Sequence, residues 1–390
     1  MRNSPAIAGR PRFDLGDLAR AHRGQLEAGY ALSSIERRVL SAIAVCRTAG
    51  LGGHIDACRS CGYEQPSYNS CRNRHCPKCQ SLAQEKWIRA RSKRLLPTGH
   101  FHVVFTLPSE LRPLARANAL AVYTALFAAA SDTLLELAER RLQATLGVTM
   151  VLHTWTRDLR LHPHVHAIVT AGALARDGQS WMARPTFLFP VAMMATVFRA
   201  KMIGELRRRH SRGALQIGED PEAFERLASQ LASKRWVVYA KKPFRRSQYV
   251  LEYLGRYTHR AGFANSRILG VDGERVTFRT HGGLSTTLPA VELLRRFLLH
   301  SLPDGFQKIR HYGLYSGALV ESKLARARAL LEATPVEPRA KQRNAGEATD
   351  WKGLLLETTG RDVDRCPGCG GRLAHVAVAR APPGAGRGWS

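Results

Sequence analysis

The chain has 390 residues, of which 44% are apolar and 23% charged. This composition excludes a fully disordered or collagen-like protein, and the length predicts two or three domains able to bury a core. Lys and Arg number 59 against 31 Asp and Glu, a formal net charge of +28, and a surplus of that size repels itself unless a polyanion offsets it. Nucleic acid is therefore the first expected partner, and an anionic membrane surface the second.

The sequence shows neither a membrane span nor a secretory signal. Its most apolar stretch, residues 119–130, is shorter than the roughly 20 residues that a helix needs to cross a bilayer. The first residues lack the apolar core of a signal peptide. We therefore expect a cytoplasmic protein with no membrane partner, in which thiols stay reduced and the eight cysteines have a role other than disulfide formation.

Six of the eight cysteines lie between residues 46 and 79, and four of these form two Cys-x2-Cys knuckles. Two knuckles at this separation are typical of zinc, because each holds two thiolates close together and the pair completes a tetrahedron of sulfur. Such a site leaves no open position for water, so its predicted role is to fold a small basic module. The predicted ligands of this structural zinc ion are Cys58, Cys61, Cys76 and Cys79.

Other metal-binding residue types are interleaved with these knuckles. Two more sulfurs and two imidazoles could complete a second zinc site. The alternative is that the two cysteines are buried small side chains and that both histidines are surface residues. This possible second set consists of Cys46, His54, Cys71 and His75.

After the cysteine-rich region, the pattern of apolar residues predicts alternating strands and helices. The predicted elements are, in chain order, a strand at 100–107, a helix at 113–146, strands at 148–155 and 164–170, a helix at 190–210, a helix opened by Asp220 and Pro221, a strand at 236–240, a helix at 248–260 and a strand at 275–280. These elements predict an α+β fold in which helices pack on a central antiparallel sheet.

The strand at 164–170 begins with alternating histidines. In a strand, His164 and His166 point to one face while Val165 faces the core. Two imidazoles at this spacing can bind one metal ion. If the preceding strand pairs with this one as a hairpin, His153 can supply a third nitrogen, with His162 as the reserve ligand. The alternative is a run of half-exposed strand histidines.

The helix predicted at 248–260 carries Tyr249, Tyr253 and Tyr257, four residues apart and therefore on one face. Such a stripe usually packs on a core, but here its borders are basic and suit a phosphate-lined groove. A tyrosine hydroxyl has a pKa of about 10 and needs help to become a nucleophile, which a metal-bound phosphodiester supplies. The predicted DNA-binding residues are Lys241, Lys242, Arg245, Arg246, Arg256 and Arg260.

The C-terminal part contains a stretch at 332–349 that is rich in Ala, Pro and charge, a composition typical of a linker. A third knuckle, Cys366-x2-Cys369, follows it, and the sequence assigns this knuckle no role. The uneven use of cysteine divides the chain into three predicted regions. They are an N-terminal helical and zinc-binding domain at 1–96, a large central domain at 97–300 and a C-terminal region at 301–390.

A His–hydrophobic–His strand followed by a Tyr-x-x-x-Tyr helix resembles the HUH single-strand endonucleases. More narrowly, the chain is similar to the two-tyrosine rolling-circle transposases of bacterial insertion sequences. The similar stretches lie within 46–316 and include CRTAGLGGHIDACRSCG, HPHVHAIV, YLGRYTHR and GFQKIRHYGLYS. The resemblance implies an N-terminal zinc-binding domain and a central nuclease domain. It implies the metal-binding pair at His164 and His166 and the tyrosine pair at Tyr253 and Tyr257, with Tyr249 outside that pair.

The resemblance also implies a mechanism. Mg²⁺ or Mn²⁺ on the two histidines polarises a phosphate in single-stranded or hairpin DNA from the ends of the protein's own element. A tyrosine attacks this phosphate, giving a 5′-phosphotyrosine link and a free 3′-hydroxyl. The energy of the phosphodiester bond is conserved, so no nucleotide cofactor is needed, and the second tyrosine allows another strand transfer.

Two other functions stay open at the level of sequence. A zinc-dependent DNA-binding regulator without catalysis would explain the cysteines and the charge, but not the histidines and tyrosines. A replication initiator or a conjugative relaxase would share the chemistry. A covalent protein–DNA adduct distinguishes the enzyme from the regulator, and mobilisation of a linked DNA segment distinguishes a transposase from a replication enzyme.

Overall fold

A computed structural model describes residues 13–79, 81–92, 94–186, 188–218, 220, 222–244, 262–317, 320–333, 350–360 and 362–380. The predicted helix at 248–260 lies outside these residues, as does the predicted linker from residue 334 onward. The helices in the described part are α1 (Leu15–Gly29), α2 (Ser34–Val45), α3 (Ser81–Ser92), α4 (Arg112–Ala117), α5 (Ala119–Leu142), α6 (Val191–Ser211), α7 (Ala223–Ser233), α8 (Ala290–Leu298), α9 (Ala325–Ala333) and α10 (Trp351–Thr359).

The strands in the described part are β1 (Gly53–Cys58), β2 (Glu64–Tyr68), β3 (His100–Thr106), β4 (Ala144–Thr145), β5 (Gly147–Trp155), β6 (Leu161–Thr170), β7 (Gly172–Ala175), β8 (Trp181–Ala183), β9 (Val238–Phe244), β10 (Ile268–Asp272), β11 (Arg275–Arg279), β12 (Ser285–Pro289), β13 (Ile309–Gly313) and β14 (Leu373–Ala379). The predicted α+β class with antiparallel sheets is confirmed.

The central sheet has five antiparallel strands in the order β13-β5-β6-β3-β9. Alternation along β6 sends Val165, Ala167 and Val169 to one face, where they join a large apolar core with α5, α6 and α7. Phe105 of β3 meets Phe198 of α6 there, with ring centroids 5.0 Å apart. Each large side chain fully buried in this way stabilises the fold by about 1.5–3 kcal/mol. The opposite face of the sheet carries the histidines.

A second core joins parts of the chain that are far apart in sequence. Helices α1 and α2 pack against α8 and the three-stranded sheet β10-β11-β12. The C-terminal region is likewise shared: β13 pairs with β5 in the central sheet, while β14 pairs with β1 near the N-terminus. The boundaries at 1–96, 97–300 and 301–390 stay a prediction, but paired strands and packed helices cross them.

The predicted helix at 113–146 differs from the structure, where α4 and α5 are separated by Asn118. The amide of Asn118 donates to the carbonyl of Gln216 at 2.9 Å and accepts from its N–H at 2.7 Å. These two hydrogen bonds hold the backbone in a non-helical conformation. Helix α5 is long and apolar enough by length and composition to cross a membrane, but 61% of its most apolar window is buried inside the protein.

The predicted strand at 236–240 also starts later than expected, because β9 begins at Val238. Trp236 is buried, and its indole N–H donates to the carbonyl of Leu231 at 2.9 Å, at the end of α7. Tertiary packing therefore assigns Trp236 to the helical layer, although its β-forming character favours a strand.

Candidate active site and metal centres

The histidines lie on the side of the central sheet opposite the large apolar core, which we call the histidine face and define by His102, His153, His164 and His166. β6 is the middle strand and pairs with β5, so that His153 is directly opposite His164. A short polar loop at 156–160 joins the two strands. The hairpin expected from the sequence therefore supplies the third imidazole.

Three imidazoles of this face come close enough to share one ion. One ring nitrogen from each of His153, His164 and His166 lies within 4.8 Å of the others. The ring centroids of His153 and His166 are 4.1 Å apart, and those of His164 and His166 are 4.8 Å apart. His162, the reserve ligand, lies further along the strand, with its ring 5.2 Å from that of His164.

The electrostatics of this face favour neutral imidazoles, the form that binds a metal ion. Burial lowers the pKa of His164 to about 4 and lowers the pKa of His153 and of His166 well below 6.5. The Nδ1 of His164 is 2.6 Å from the backbone carbonyl of His162. A carbonyl only accepts, so Nδ1 carries the proton and Nε2 keeps its lone pair.

His102, on the neighbouring strand β3, is a residue that the sequence reasoning missed. Its Nε2 lies 2.7 Å from Nδ1 of His166, and the two rings stack with an interplanar angle of 3°. An imidazole hydrogen-bonded to a ligating imidazole orients it and fixes its tautomer. The signal was present in the sequence as alternation in HFH at 100–102, but nothing in the sequence indicated that β3 would lie beside β6.

The side chains around the site extend its surface toward β9. Lys241 is exposed and lies opposite His102 in the β3–β9 ladder. Tyr239, two residues earlier on the same face, is 52% exposed. The backbone of Lys242 also belongs to β9. Tyr249, Tyr253 and Tyr257 lie outside the described residues, as do Arg245, Arg246, Arg256 and Arg260.

The described residues on either side of the segment that carries these tyrosines contact the histidine face. Before the segment, Phe244 ends β9 opposite His100 and packs with Val151 and Ile168 on this side of the sheet. After it, Gly262 passes so close to Trp155 that an added Cβ would lie 2.4 Å from the indole. Trp155 in turn stacks on His153, with centroids 4.9 Å apart.

The chain after Gly262 is held firmly. The guanidinium of Arg267 donates to the carbonyl of Gly262 at 2.9 Å and to the carbonyl of Arg279 at the same distance. It also lies over the rings of Phe263 and Phe278. Burial lowers the pKa of Arg267 to about 10, so the side chain stays charged at neutral pH. These contacts fix the point at which the tyrosine-bearing segment rejoins the described fold.

The cysteines form two clusters whose membership differs from the predicted sets. The first cluster, in which all four sulfurs lie within 4.8 Å of one another, consists of Cys46, Cys71, Cys76 and Cys79. A capping box of Ser33 and Glu36 starts α2, and this helix ends by placing Cys46 against Cys79, with the sulfurs 3.2 Å apart. The first cluster thus takes only its Cys76–Cys79 knuckle from the set predicted for one zinc ion.

The second cluster consists of Cys58, Cys61, Cys366 and Cys369. The predicted union of the Cys58–Cys61 and Cys76–Cys79 knuckles is therefore corrected. Cys58 ends β1, the middle strand between β2 and β14, and it lies opposite Leu373 at the start of β14. Strand pairing brings the C-terminal knuckle to Cys58 and leaves Cys76 beside α2.

The two histidines of the possible second zinc set join neither cysteine cluster. His54 lies on β1 beside Asp56 and His375, with Nε2 of His54 3.3 Å from the Asp56 carboxylate. His75 is buried, and its Nε2 accepts the N–H of Leu302 at 3.3 Å. Burial lowers the pKa of His75 to about 3, so the ring is neutral and acts as an acceptor.

Comparisons with known proteins identify two family models that match this chain. A family model described as "Putative transposase" matches residues 147–323, and one described as "Transposase zinc-binding domain" matches residues 18–107. The chain is 39% identical to "Putative transposase y4qJ" of Sinorhizobium fredii over 96% of this chain and 98% of the relative. The chain belongs to the IS91-type transposases.

A second transposase relative comes from another bacterium. The transposase for insertion sequence element IS801 of Pseudomonas savastanoi pv. phaseolicola is 27% identical over 97% of this chain and 92% of the relative. No solved structure matches the chain. Family membership implies that the chain binds DNA and that it cuts and joins DNA strands.

The matched ranges fit the two kinds of site in this transposase. The longer match begins at β5 and extends past β13, so it contains His153, His164 and His166 together with both predicted tyrosines. The zinc-binding match contains the whole first cysteine cluster but only the Cys58–Cys61 half of the second. A zinc-binding domain and cysteine clusters of zinc-site geometry together indicate structural zinc.

Proposed function

We propose that this transposase cleaves and rejoins single-stranded DNA at the ends of its element through a covalent 5′-phosphotyrosine intermediate. One observation carries the proposal. Three neutral imidazoles converge on the histidine face, and the described residues that flank the segment bearing Tyr253 and Tyr257, namely Phe244 and Gly262, both lie against that face.

The residues of the histidine face fit a divalent cation. His153, His164 and His166 each offer a ring nitrogen within 4.8 Å of the others, and their depressed pKa values keep these nitrogens unprotonated at neutral pH. Mg²⁺ or Mn²⁺ held there would make the bound phosphate more electrophilic and stabilise its developing negative charge. His102 would orient His166 for this task.

The chemistry assigned to the tyrosines is a transesterification. The Oη of Tyr253 attacks phosphorus and forms a P–O bond, while the bond from phosphorus to the 3′-oxygen breaks. The phenol proton is lost to solvent, the 3′-oxygen gains a proton, and the 5′ side of the strand stays on the enzyme. Attack by a 3′-hydroxyl on this link reverses the same steps and rejoins DNA, so no other reactant is consumed.

The second tyrosine would allow the enzyme to make another strand transfer before the first phosphotyrosine bond to DNA is resolved. Tyr253 and Tyr257 are four residues apart, which places both on one side of the predicted helix. We assign the first attack to Tyr253, because it lies in the middle of the helix predicted at 248–260 and away from the C-terminal end of that helix. Reacting atoms must approach within about 3–3.5 Å, and a fraying helix end holds that geometry poorly.

Single-stranded DNA suits the surface beside the site. Tyr239 is exposed and offers a ring on which a base can stack, and the exposed Lys241 lies two residues away on the same face. Stacking and phosphate contacts of this kind bind single strands with little dependence on sequence. The basic residues predicted at 245, 246, 256 and 260 would extend this positive track.

A trapping experiment tests the proposal. The full chain is incubated with labelled single-stranded DNA from the ends of its element and Mg²⁺ or Mn²⁺, and the adduct is located by peptide mass spectrometry. We expect the adduct on Tyr253. Tyr253→Phe should lose most of it, and Tyr257→Phe should keep a first cleavage but not the complete transfer. Tyr249→Phe is the matched control that should behave like the unchanged chain.

Three results would count against the proposal. They are an adduct on Tyr249 or on no tyrosine, cleavage that persists in excess chelator, and equal affinity for blunt duplex and single strand with little response to salt. DNA binding without any adduct would instead support the alternative of a zinc-dependent DNA-binding regulator without catalysis. An adduct without mobilisation of a linked DNA segment would support a replication enzyme.

A further inference from the structure

The C-terminal knuckle, which the sequence left without a role, has the same local design as the knuckle at Cys58. Both read Cys-x2-Cys-Gly. In one, the N–H of Cys58 donates to the carbonyl of Tyr63 at 2.8 Å, and in the other the N–H of Cys366 donates to the carbonyl of Gly371 at 2.7 Å. The chain thus builds the same cysteine-bearing turn twice.

The glycines complete this equivalence. Gly62 and Gly370 each follow the second cysteine, each donates to the carbonyl of the first cysteine at 2.9 Å, and their φ values are 71° and 73°. A φ in this range strongly favours glycine. Two turns that share hydrogen bonds and a glycine requirement present their sulfurs in the same way.

Sheet pairing brings the two knuckles face to face. β1 ends at Cys58, which lies opposite Leu373 at the start of β14. The sulfurs of Cys58 and Cys369 are 3.5 Å apart, and those of Cys61 and Cys366 are 3.6 Å apart. Bonds of about 2.3 Å from a central zinc ion place tetrahedral sulfurs about 3.8 Å apart. A disulfide would require about 2.05 Å, and all eight cysteines are free.

The surroundings of the four sulfurs also suit a metal ion. Cys58 and Cys366 are buried, while Cys61 and Cys369 are exposed, so that an ion can enter from one side. The N–H of Gly371 points at the sulfur of Cys369 at 3.4 Å. A Cβ added at Gly371 would lie 2.9 Å from the Ser60 hydroxyl, 3.2 Å from the sulfur of Cys369 and 3.3 Å from the sulfur of Cys58, so any larger residue would crowd the sulfurs.

We propose that Cys58, Cys61, Cys366 and Cys369 bind a second structural zinc ion, which joins the C-terminal segment to the N-terminal zinc-binding domain. The other zinc ion would be bound by the first cluster. The ligand pairs of the proposed site are 305 and 311 residues apart, so this ion closes almost the whole chain into a loop. The C-terminal segment 350–380 then belongs structurally to the zinc-binding domain and supplies two of its ligands.

A series of contacts connects the proposed zinc site with the histidine face. In the C-terminal segment, Glu357 of α10 forms an ion pair with Arg89 of α3. On the same helix α3, Trp87 packs against Val151 and Ile168 on the histidine side of the central sheet. The zinc ion would therefore stabilise the position of α3, which packs against the histidine face through Trp87.

Metal analysis of the full chain tests the proposal without DNA or catalysis, so its outcome is independent of the phosphotyrosine mechanism. We expect two zinc ions per chain after dialysis. Cys366→Ser with Cys369→Ser should retain one, and Cys71→Ser with Cys79→Ser should retain the other. Native mass spectrometry counts the ions, and Co²⁺ substitution gives the absorption of a four-thiolate site. One zinc ion in the unchanged chain, or two in the Cys366/Cys369 variant, would overturn the proposal.

Hydrogen exchange on the same variants shows whether the ion holds the C-terminal segment. Amides of β14 that pair with β1 should be protected in the unchanged chain and lose protection in the Cys366/Cys369 variant, while the central sheet keeps its protection. Unchanged protection of β14 in a variant that lacks one zinc ion would contradict the joining role.

Two glycine substitutions that keep all four cysteines test the site if the loss of two cysteines prevents folding. Gly371→Ala adds a methyl group that crowds two of the sulfurs, whereas Gly368→Ala adds one whose nearest atom is the sulfur of Cys366 at 3.8 Å, an ordinary contact. Gly371→Ala should release one zinc ion to a chelator about 10–100-fold faster than Gly368→Ala, the range seen when the support of a metal ligand is disturbed. Equal release from the two variants would refute the site.

Discussion

The histidine face and the second cysteine cluster bring metal-binding residues together in opposite ways. His153, His164 and His166 come from two strands joined by the short loop at 156–160, and His153 lies directly opposite His164. The cysteine cluster joins knuckles 305 and 311 residues apart through the pairing of β1 with β14. A site within one hairpin forms whenever the hairpin forms, whereas a remote site depends on the whole fold.

This difference also sets what holds each site together. The histidine face is part of a five-stranded sheet whose other side is covered by the large apolar core. Among the strands that the structure describes, β14 pairs with β1 alone, at the edge of a three-stranded sheet. Closing a long loop costs chain entropy, and each doubling of loop length adds only about 0.6 kcal/mol. A single strong cross-link can therefore offset most of that cost, and zinc bound by four thiolates is such a link.

The largest expected effect comes from removing one imidazole of the local site. His166→Ala should lower cleavage of single-stranded DNA by about 10³-fold, because metal stabilisation of the phosphate is worth several kcal/mol and each 1.36 kcal/mol is a factor of ten. Zinc content should stay unchanged, since the cysteine clusters are separate. The control is His281→Ala, at an exposed histidine. Cleavage at the unchanged rate would remove His166 from the site.

A somewhat smaller effect is expected at Gly262, the first described residue after the tyrosine-bearing segment. Gly262→Ala would force a Cβ to 2.4 Å from Trp155 and displace the chain beside His153. A displacement of about 1 Å from a reacting geometry costs about 10²-fold in rate. Single-turnover adduct formation measures this loss. Gly270→Ala is the matched control, because no atom lies within 4 Å of its added Cβ. Similar rates for both variants would mean that this anchor does not position the tyrosines.

A substitution of His102 tests whether this residue positions His166 or only stabilises the fold. His102→Ala removes the partner 2.7 Å from Nδ1 of His166, and loss of such a partner typically costs about 10–100-fold in metal affinity. A Mn²⁺ titration of cleavage should therefore need more metal for half-saturation, while the rate at saturating Mn²⁺ recovers. A lower rate at all Mn²⁺ concentrations, with the same half-saturation, would contradict the positioning role.

The smallest expected effect concerns the ion pair that links the C-terminal segment to α3. Glu357→Gln removes the charge that pairs with Arg89, and Glu357 is 41% exposed. Exposed pairs contribute about 0.2–1 kcal/mol, so thermal unfolding should change little and β14 should keep its protection from exchange. If the amides of β14 exchanged as fast in Glu357→Gln as in the Cys366/Cys369 variant, the ion pair rather than zinc would hold the C-terminal segment in place.

Much of the central sheet could be predicted from local sequence. The strands around 100, 148 and 164 were placed to within a few residues, because alternation of side chains has a period of two in any strand. Errors appeared where tertiary contacts override local pattern. Asn118 ends a helix through its hydrogen bonds to Gln216, and Trp236 leaves its predicted strand to pack under α7.

The sequence by itself determined which residue types could bind metal and how neighbours along the chain are arranged. The two faces of β6 and the closeness of two thiolates in each Cys-x2-Cys follow from backbone geometry alone. Only the tertiary structure decided which knuckles join, which strand lies beside β6, and where the chain after residue 261 meets Trp155. These outcomes depend on how strands and helices share buried surface across the whole chain, and a pattern confined to a few neighbouring residues carries no information about partners 300 residues away.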